Sequence, residues 1–226
     1  MSAVWVNNLT VSWSIIAKPN PEHNTNYLVH HDVHRLSIHH NLFFDAKRRN
    51  PWVGTRPEDT VGTPISSIDV RNNVMWEVSG SSSNHGTVFF GDASGNIIGN
   101  YYYTGDHCSD SDCEKRAVIV CQNPGFSEDL SFCRAQPVAG EVHVSGNVSA
   151  DGWTNYINTK GNRSSAWPVA AVTTTDACAA GRDVKSQEGA RGPKFGLDSV
   201  DQGFVDLITI PSDCKGAPVE SSPQPS

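Results

Sequence analysis

Five segments of this chain align on a common turn residue, and that repeat leaves few folds open to it. They are LTVSWS (Leu9 to Ser14), LSIHHN (Leu36 to Asn41), IDVRNN (Ile68 to Asn73), GNIIGN (Gly95 to Asn100) and VHVSGN (Val142 to Asn147). The last column reads Ser14, Asn41, Asn73, Asn100, Asn147. Three residues earlier stands an unbroken β-branched column: Val11, Ile38, Val70, Ile97 and Val144. The residue after the turn is apolar every time, as Ile15, Leu42, Val74, Tyr101 and Val148. An apolar period of two, a turn residue and another apolar residue describe a strand that bends sharply. The asparagines are expected to take the left-handed conformation at that bend, which after Gly they accept most readily.

Successive turn residues lie 27, 32, 27 and 47 apart, which suits one coil of a parallel β-solenoid per repeat with loops of varied length. Like residues then stack on like. The Val/Ile column becomes a dry interior row, and the Asn column a ladder in which each amide bonds to the next coil. An ordinary β-sandwich would need the same phasing to arise five times by coincidence. The expected fold is all-β, a right-handed single-stranded parallel β-helix over residues 1–150. Residues 151–214 lose the repeat and are expected to pack back on it, with a short helix in ACAAGRDVKS and a packing segment from Leu197 to Ile210. The Pro/Ser-rich stretch 215–226 is expected to be disordered. Met1 runs straight into the first repeat, with no signal-like segment and too few residues to cap an open solenoid end. The chain is therefore expected to be truncated on its N-terminal side.

Other features bound the function. No apolar run is long enough to span a membrane, and a net charge of −7 argues against nucleic acid. Cys108, Cys113, Cys121, Cys133, Cys178 and Cys214 admit fifteen pairings. Proximity favours two bridges among the first four and one joining Cys178 to Cys214. With sequons at Asn8, Asn147 and Asn162, they point to an oxidising compartment and a secreted protein, expected to be a monomer. His23, His30, His31, His34, His39 and His40 crowd into eighteen residues. Zinc would need them on one face beside a carboxylate or thiolate, and only Asp32 is near, so no metal ligand is assigned. In the strand frame His40 points inward and His39 outward, so the pair is not expected to converge. His40 is expected in the core, bonded to a neighbouring coil.

After Asn41 the chain reads Leu42-Phe43-Phe44, then Asp45-Ala46-Lys47-Arg48-Arg49-Asn50-Pro51-Trp52. A charge run is ordinarily a solvated turn. This one follows the best-formed repeat, is pinned by Pro51, and is followed by Trp52 and Arg56. That setting suits an elongated anionic polymer such as a polyuronate.

SIHHNLFFDAKRRNP resembles the HHN…R-x-P signature of the pectate lyase family, the calcium-dependent polysaccharide lyases built as parallel β-helices. LTVSWSII resembles the coil before that signature, and EGARGPKFGLDSVDQGFVDLI the C-terminal segment of microbial members. The likeness covers most of residues 5 to 150 and about twenty near the end. It implies β-elimination on polygalacturonate or a related acidic polysaccharide. Arg49 would be the base, and Lys47, Arg48 and Arg56 substrate contacts. The neighbouring cations disfavour a further positive charge on Arg49, which is the direction a base requires. Calcium, the family's cofactor, would bridge substrate and protein carboxylates.

The pattern departs from the family in three places. The position expected to carry a calcium-binding aspartate falls near Val6 and Asn7, the family's lysine falls at Thr25, with Lys18 a poor substitute, and its second arginine at Trp52 or Gly54. No calcium ligand is identified in this chain. A second reading is therefore a non-catalytic β-helix that binds polyuronate or serves as a scaffold. A third, a polygalacturonase-like hydrolase, would need acids such as Asp69 and Asp92 to converge from different coils, and Asn84-His85-Gly86 is only a faint echo of its motifs.

Overall fold

The computed structural model describes the chain except residues 21, 23, 24, 55–64, 78–84, 92, 104, 106–115, 122–139, 151–153, 158–162, 187–195 and 218–226. It is a parallel β-helix in which each coil gives one strand to each of three sheets. The first sheet stacks β1 (Ser2–Ala3), β4 (Leu28–Val29), β7 (Trp52–Val53), β10 (His85–Phe89), β13 (Arg116–Val120) and β16 (Thr154–Ile157). The second stacks β2 (Asn7–Ser12), β5 (His34–His39), β8 (Ser66–Arg71), β11 (Gly95–Ile98) and β14 (Val142–Ser145). The third stacks β3 (Ile15–Ala17), β6 (Leu42–Phe44), β9 (Val74–Trp76), β12 (Tyr101–Tyr103) and β15 (Val148–Ser149).

The repeat columns are the register of the second sheet. Val11 pairs with Ile38, Ile38 with Val70, Val70 with Ile97 and Ile97 with Val144. Ile38, Val70 and Ile97 are wholly buried in the interior row, as the period of two requires. The column two residues earlier contains Gly95 because the coils approach too closely there for a side chain. A Cβ on it would lie 1.9 Å from the Ile68 carbonyl oxygen.

Between the second and third sheets the asparagines form the expected ladder. Asn41 Oδ1 accepts from Ser14 N, Asn73 Oδ1 from both Asn41 N and Nδ2, and Asn100 Oδ1 from both Asn73 N and Nδ2, all at 3.0 Å. Asn147 Oδ1 accepts the same pair from Asn100 at 2.9 and 3.0 Å. Each amide also donates backwards, Asn41 to Val11 O, Asn73 to Ile38 O, Asn100 to Val70 O and Asn147 to Ile97 O. The left-handed residue is not the asparagine, however, but the one before it. Trp13, His40, Asn72, Gly99 and Gly146 have φ of 52°, 54°, 52°, 62° and 65°. The ladder residue itself must keep its amide facing along the stack, so the bend falls one position earlier.

The C-terminal region covers two outer faces. Residues 163–175 run as a strap across the second sheet. The third sheet's outer row of Leu42, Phe44, Val74, Trp76 and Tyr101 is covered by α1 (Ala177–Lys185) and α2 (Ser199–Leu207). Asp176 caps α1 by accepting from Cys178 N and Ala179 N. Cys178 bonds to Cys214 as proximity suggested, and Lys185 donates to the Ile208 carbonyl. Cys121 is also disulfide-bonded, while Cys108, Cys113 and Cys133 lie outside the described residues. The packing segment is thus largely helical, and Thr154–Ile157, within the stretch expected to lose the repeat, adds a further strand to the first sheet.

Asn73→Ala should cost about 3 kcal/mol or more. It strands the Asn41 donors and the Ile38 carbonyl in a dry interior, each without a replacement for water. Asn147→Ser, at the end of the ladder, should cost about 1 kcal/mol. Urea denaturation of both variants checks the difference, and equal losses would contradict a cooperative ladder.

Candidate functional site

The basic run forms the turn that leads from β6 into β7. Its ends are anchored inside the coil: Ala46 and Asn50 are fully buried. Asn50 Oδ1 accepts from Asn26 Nδ2 at 2.7 Å, and its carbonyl accepts from the Thr87 hydroxyl at 2.9 Å. Its N–H donates to Gly86 O at 3.1 Å, so Asn50 is held by both neighbouring coils. The Asn50–Pro51 peptide is cis. Asn50 was not singled out from the sequence, although a polar residue inside R-x-P at a bend is the available signal.

Between those anchors Lys47 and Arg48 are exposed and Arg49 is half-buried. Their backbone is fixed from the coil before. Thr25 bridges to Arg48, Asn26 N donates to Arg48 O at 3.4 Å, and Tyr27 N donates to Arg49 O at 2.8 Å. Arg49 has φ of 63°, a conformation that lifts its side chain out of the strand alternation that begins at Trp52. Trp52 packs half-buried beside the turn, edge-on to Phe90 at 5.1 Å. The fold thus brings Lys47, Arg48 and Arg49 onto one rigid turn. Arg56 lies outside the described residues. Lys18 lies over the Phe204 ring of α2, 5.7 Å from its centroid.

The histidines arrange differently from the strand-based expectation. His39 and His40 do meet, Nδ1 to Nδ1 at 3.0 Å, because the positive φ at His40 breaks the alternation that would have separated them. His40 is buried as expected, at 4% exposure; its backbone N–H donates to Arg71 O of the following coil at 3.4 Å, and its ring stacks on Trp13 of the preceding coil at 4.4 Å. Burial, then the neighbouring His39 and Arg71, push His40 down from 6.5 to about 4. His39 is lowered as well, first by burial, with Asp69 opposing and Arg71 assisting. Asp32 and Ser66 hold His34 from either side, at 2.9 and 2.7 Å.

The carboxylates have other partners too. Asp69 and Arg71, two residues apart on one face of β8, form a buried bidentate pair with both contacts at 2.7 Å. Arg71 also donates to the Thr174 hydroxyl, and Asn96 donates to Asp69, so Asp69 is not an available acid. Asp92 and Asn84 lie outside the described residues. Among the described residues no three His, Cys, Asp or Glu side chains converge. With Asp69 committed to Arg71 and Asp32 to His34, the described residues do not fit a calcium ion.

Comparison with protein-family models, with curated proteins and with solved structures finds no match to this chain. The fold defines a parallel β-helix protein.

The histidine pair predicts an acid-sensitive step in stability. His40 is neutral in the folded protein, so above pH 6.5 it adds no pH dependence. As pH falls from there to about 4, the unfolded chain takes the proton first and stability is lost. The total is about 3 kcal/mol. Denaturant titrations across that range should show a shallower decline for His40→Asn, which keeps a residue tolerant of positive φ. Parallel curves for the two proteins would refute the assignment.

Proposed function

We propose that this protein acts on an acidic polysaccharide, as a polysaccharide lyase on polygalacturonate or a close relative, with Arg49 as the base. The observation that carries the reading is the anchored turn. Three consecutive cations stand on a backbone fixed by the coils on either side, at the mouth of the first sheet and next to an aromatic side chain. Arginine suits a carboxylate because its planar fork matches both oxygens. A rigid turn holds that fork in place before substrate arrives, so little ordering cost remains at binding.

In this reading Lys47 and Arg48 bind the uronate carboxylate, where negative charge grows as the adjacent carbon loses its proton. Arg49, having first released a proton to solvent, takes the C5 proton. The C5–H electron pair becomes the C4–C5 double bond while the C4–oxygen bond breaks with its own pair. The leaving oxygen takes a proton from water, and Arg49 returns its proton to solvent. The disulfides support an oxidising compartment, and the protein would meet its polymer outside the cell.

The second reading, a β-helix that binds polyuronate without cleaving it, is favoured by one observation: the described carboxylates do not converge on a cation site. Incubation with polygalacturonate, with and without added calcium, separates the two. The lyase reading expects 4,5-unsaturated products, lost by a factor of about 100 or more in Arg49→Ala. Binding that weakens with salt, without unsaturated product, would sink catalysis and leave the second reading.

A further inference from the structure

The outer face of the second sheet holds a cleft that the basic turn does not explain. The strap is tied to this sheet at its start, where Arg163 N donates to Val142 O, and at two further places. Asn96 Nδ2 donates to Trp167 O, and its Oδ1 accepts from Trp167 N at 2.8 Å. Further on, the Thr174 hydroxyl meets Arg71, and Thr175 exchanges two hydrogen bonds with the Asn72 amide. Between these ties Pro168, Val169 and Ala170 pass over the first three coils and enclose a cleft of about 370 Å³. That volume falls within the range of small-molecule sites, roughly 300–1,000 Å³.

Two polar columns line the sheet side. Thr10, Ser37 and Asp69 are register partners on β2, β5 and β8. Asn8, Arg35 and Ser67 form the other, with φ of 59°, 54° and 57°. Arg35 is exposed, and its Nε is fixed by Asn7 Oδ1 at 3.1 Å. Asp69 adds little repulsion, because Arg71 and Asn96 take its oxygens. Ser37 is buried at 8% exposure, and the described residues offer its hydroxyl no hydrogen-bond partner. An unmade hydrogen bond at a buried hydroxyl is costly unless something else makes it. Ser37 itself lines the cleft, where a bound group can supply the missing partner.

We infer that this cleft binds a single sugar acid, a pyranose carrying one carboxylate. Arg35 takes the carboxylate, Ser37 and Thr10 take ring hydroxyls, and Pro168 and Val169 cover the apolar ring face. The ligand class follows from this lining and stands whether or not the basic turn is catalytic.

Titration calorimetry of the whole chain with D-galacturonic acid, and with galactose as its neutral counterpart, tests the inference. The expected result is saturable binding of the acid with a one-to-one component that persists in Arg49→Ala, and much weaker binding of galactose. Arg35→Gln should weaken acid binding by about 10-fold or more. Ser37→Ala should weaken it several-fold while leaving the thermal midpoint unchanged or higher, since it removes an unsatisfied group. Arg49→Ala should leave this binding intact, which keeps the outcome separate from that of the basic turn. No saturable binding, equal affinity for galactose, indifference to Arg35→Gln, or loss in Arg49→Ala would each overturn it.

Discussion

The asparagine ladder fixes what the rest of this protein can do, because it sets register. A parallel stack of short strands with alternating side chains is stable only if every coil enters in the same phase, and a slip of one residue would turn the interior row outward. Asn73, Asn100 and Asn147 each accept two donors from the preceding coil and donate to a carbonyl of that same coil, with Asn73 Oδ1 accepting both Asn41 N and Nδ2 and Asn73 Nδ2 donating to Ile38 O. Only one phase satisfies that pattern. Because phase is shared, unusual backbone conformations stack as well. Lys18, Asp45 and Glu77 have φ of 42°, 49° and 52° at one corner, and Asn8, Arg35 and Ser67 repeat positive φ at another. The first column sets the point at which the basic turn departs. The second forms a wall of the cleft.

Much of this was legible in the sequence. An Asn column with a β-branched column three residues before it can hardly be satisfied by anything but a stack, and Ile38, Val70 and Ile97 are buried as that pattern demands. What was not legible depends on geometry finer than a period of two. Asn-Asn at 72 and 73 shows why. The two side chains do opposite work, Asn73 in the ladder and Asn72 on the strap, and composition alone does not say which residue bends. His39 and His40 were assigned to opposite faces by a rule that holds only inside a strand. α2 was missed because Gly203 and two valines weaken its helical pattern, although Asp198 stands as its cap, accepting from Val200 N and Asp201 N. The Asp69–Arg71 pair shows a same-face spacing of two that was open to inspection, but its third partner, Thr174, is 103 residues away.

That buried pair has a use beyond its own energy. Two charges taken out of water rarely stabilise a fold relative to apolar residues. Here the pair supplies donors on an outer sheet face that would otherwise be flat, and Arg71 spends one of them on the strap. The strap is thereby positioned in one register against the coils, with Asn72 and Asn96 on either side of the ion pair. A strap held by apolar contacts alone could slide, and the space beneath Pro168 to Ala170 would then have no fixed shape. The polar ties define the cleft, and the sheet supplies its lining.

The charge distribution bears on how an anionic polymer could approach at all. The chain carries a net −7, so a polyanion far from its surface meets repulsion on average. At physiological ionic strength that average is screened beyond roughly 8 Å. Within that distance the sign is set by the nearest groups, which at the turn include Lys47, Arg48 and Arg49 in succession, with Asp45 just before them. Long-range steering therefore contributes little to association. Affinity has to come from contacts made at close range, by cations already held in place. An anchored turn meets that condition and a flexible basic tail does not, because a tail would have to be ordered against the same background repulsion. On the proposed reading, the burial of Asn50, which anchors the turn, would matter to polymer recognition as much as the charge of the arginines.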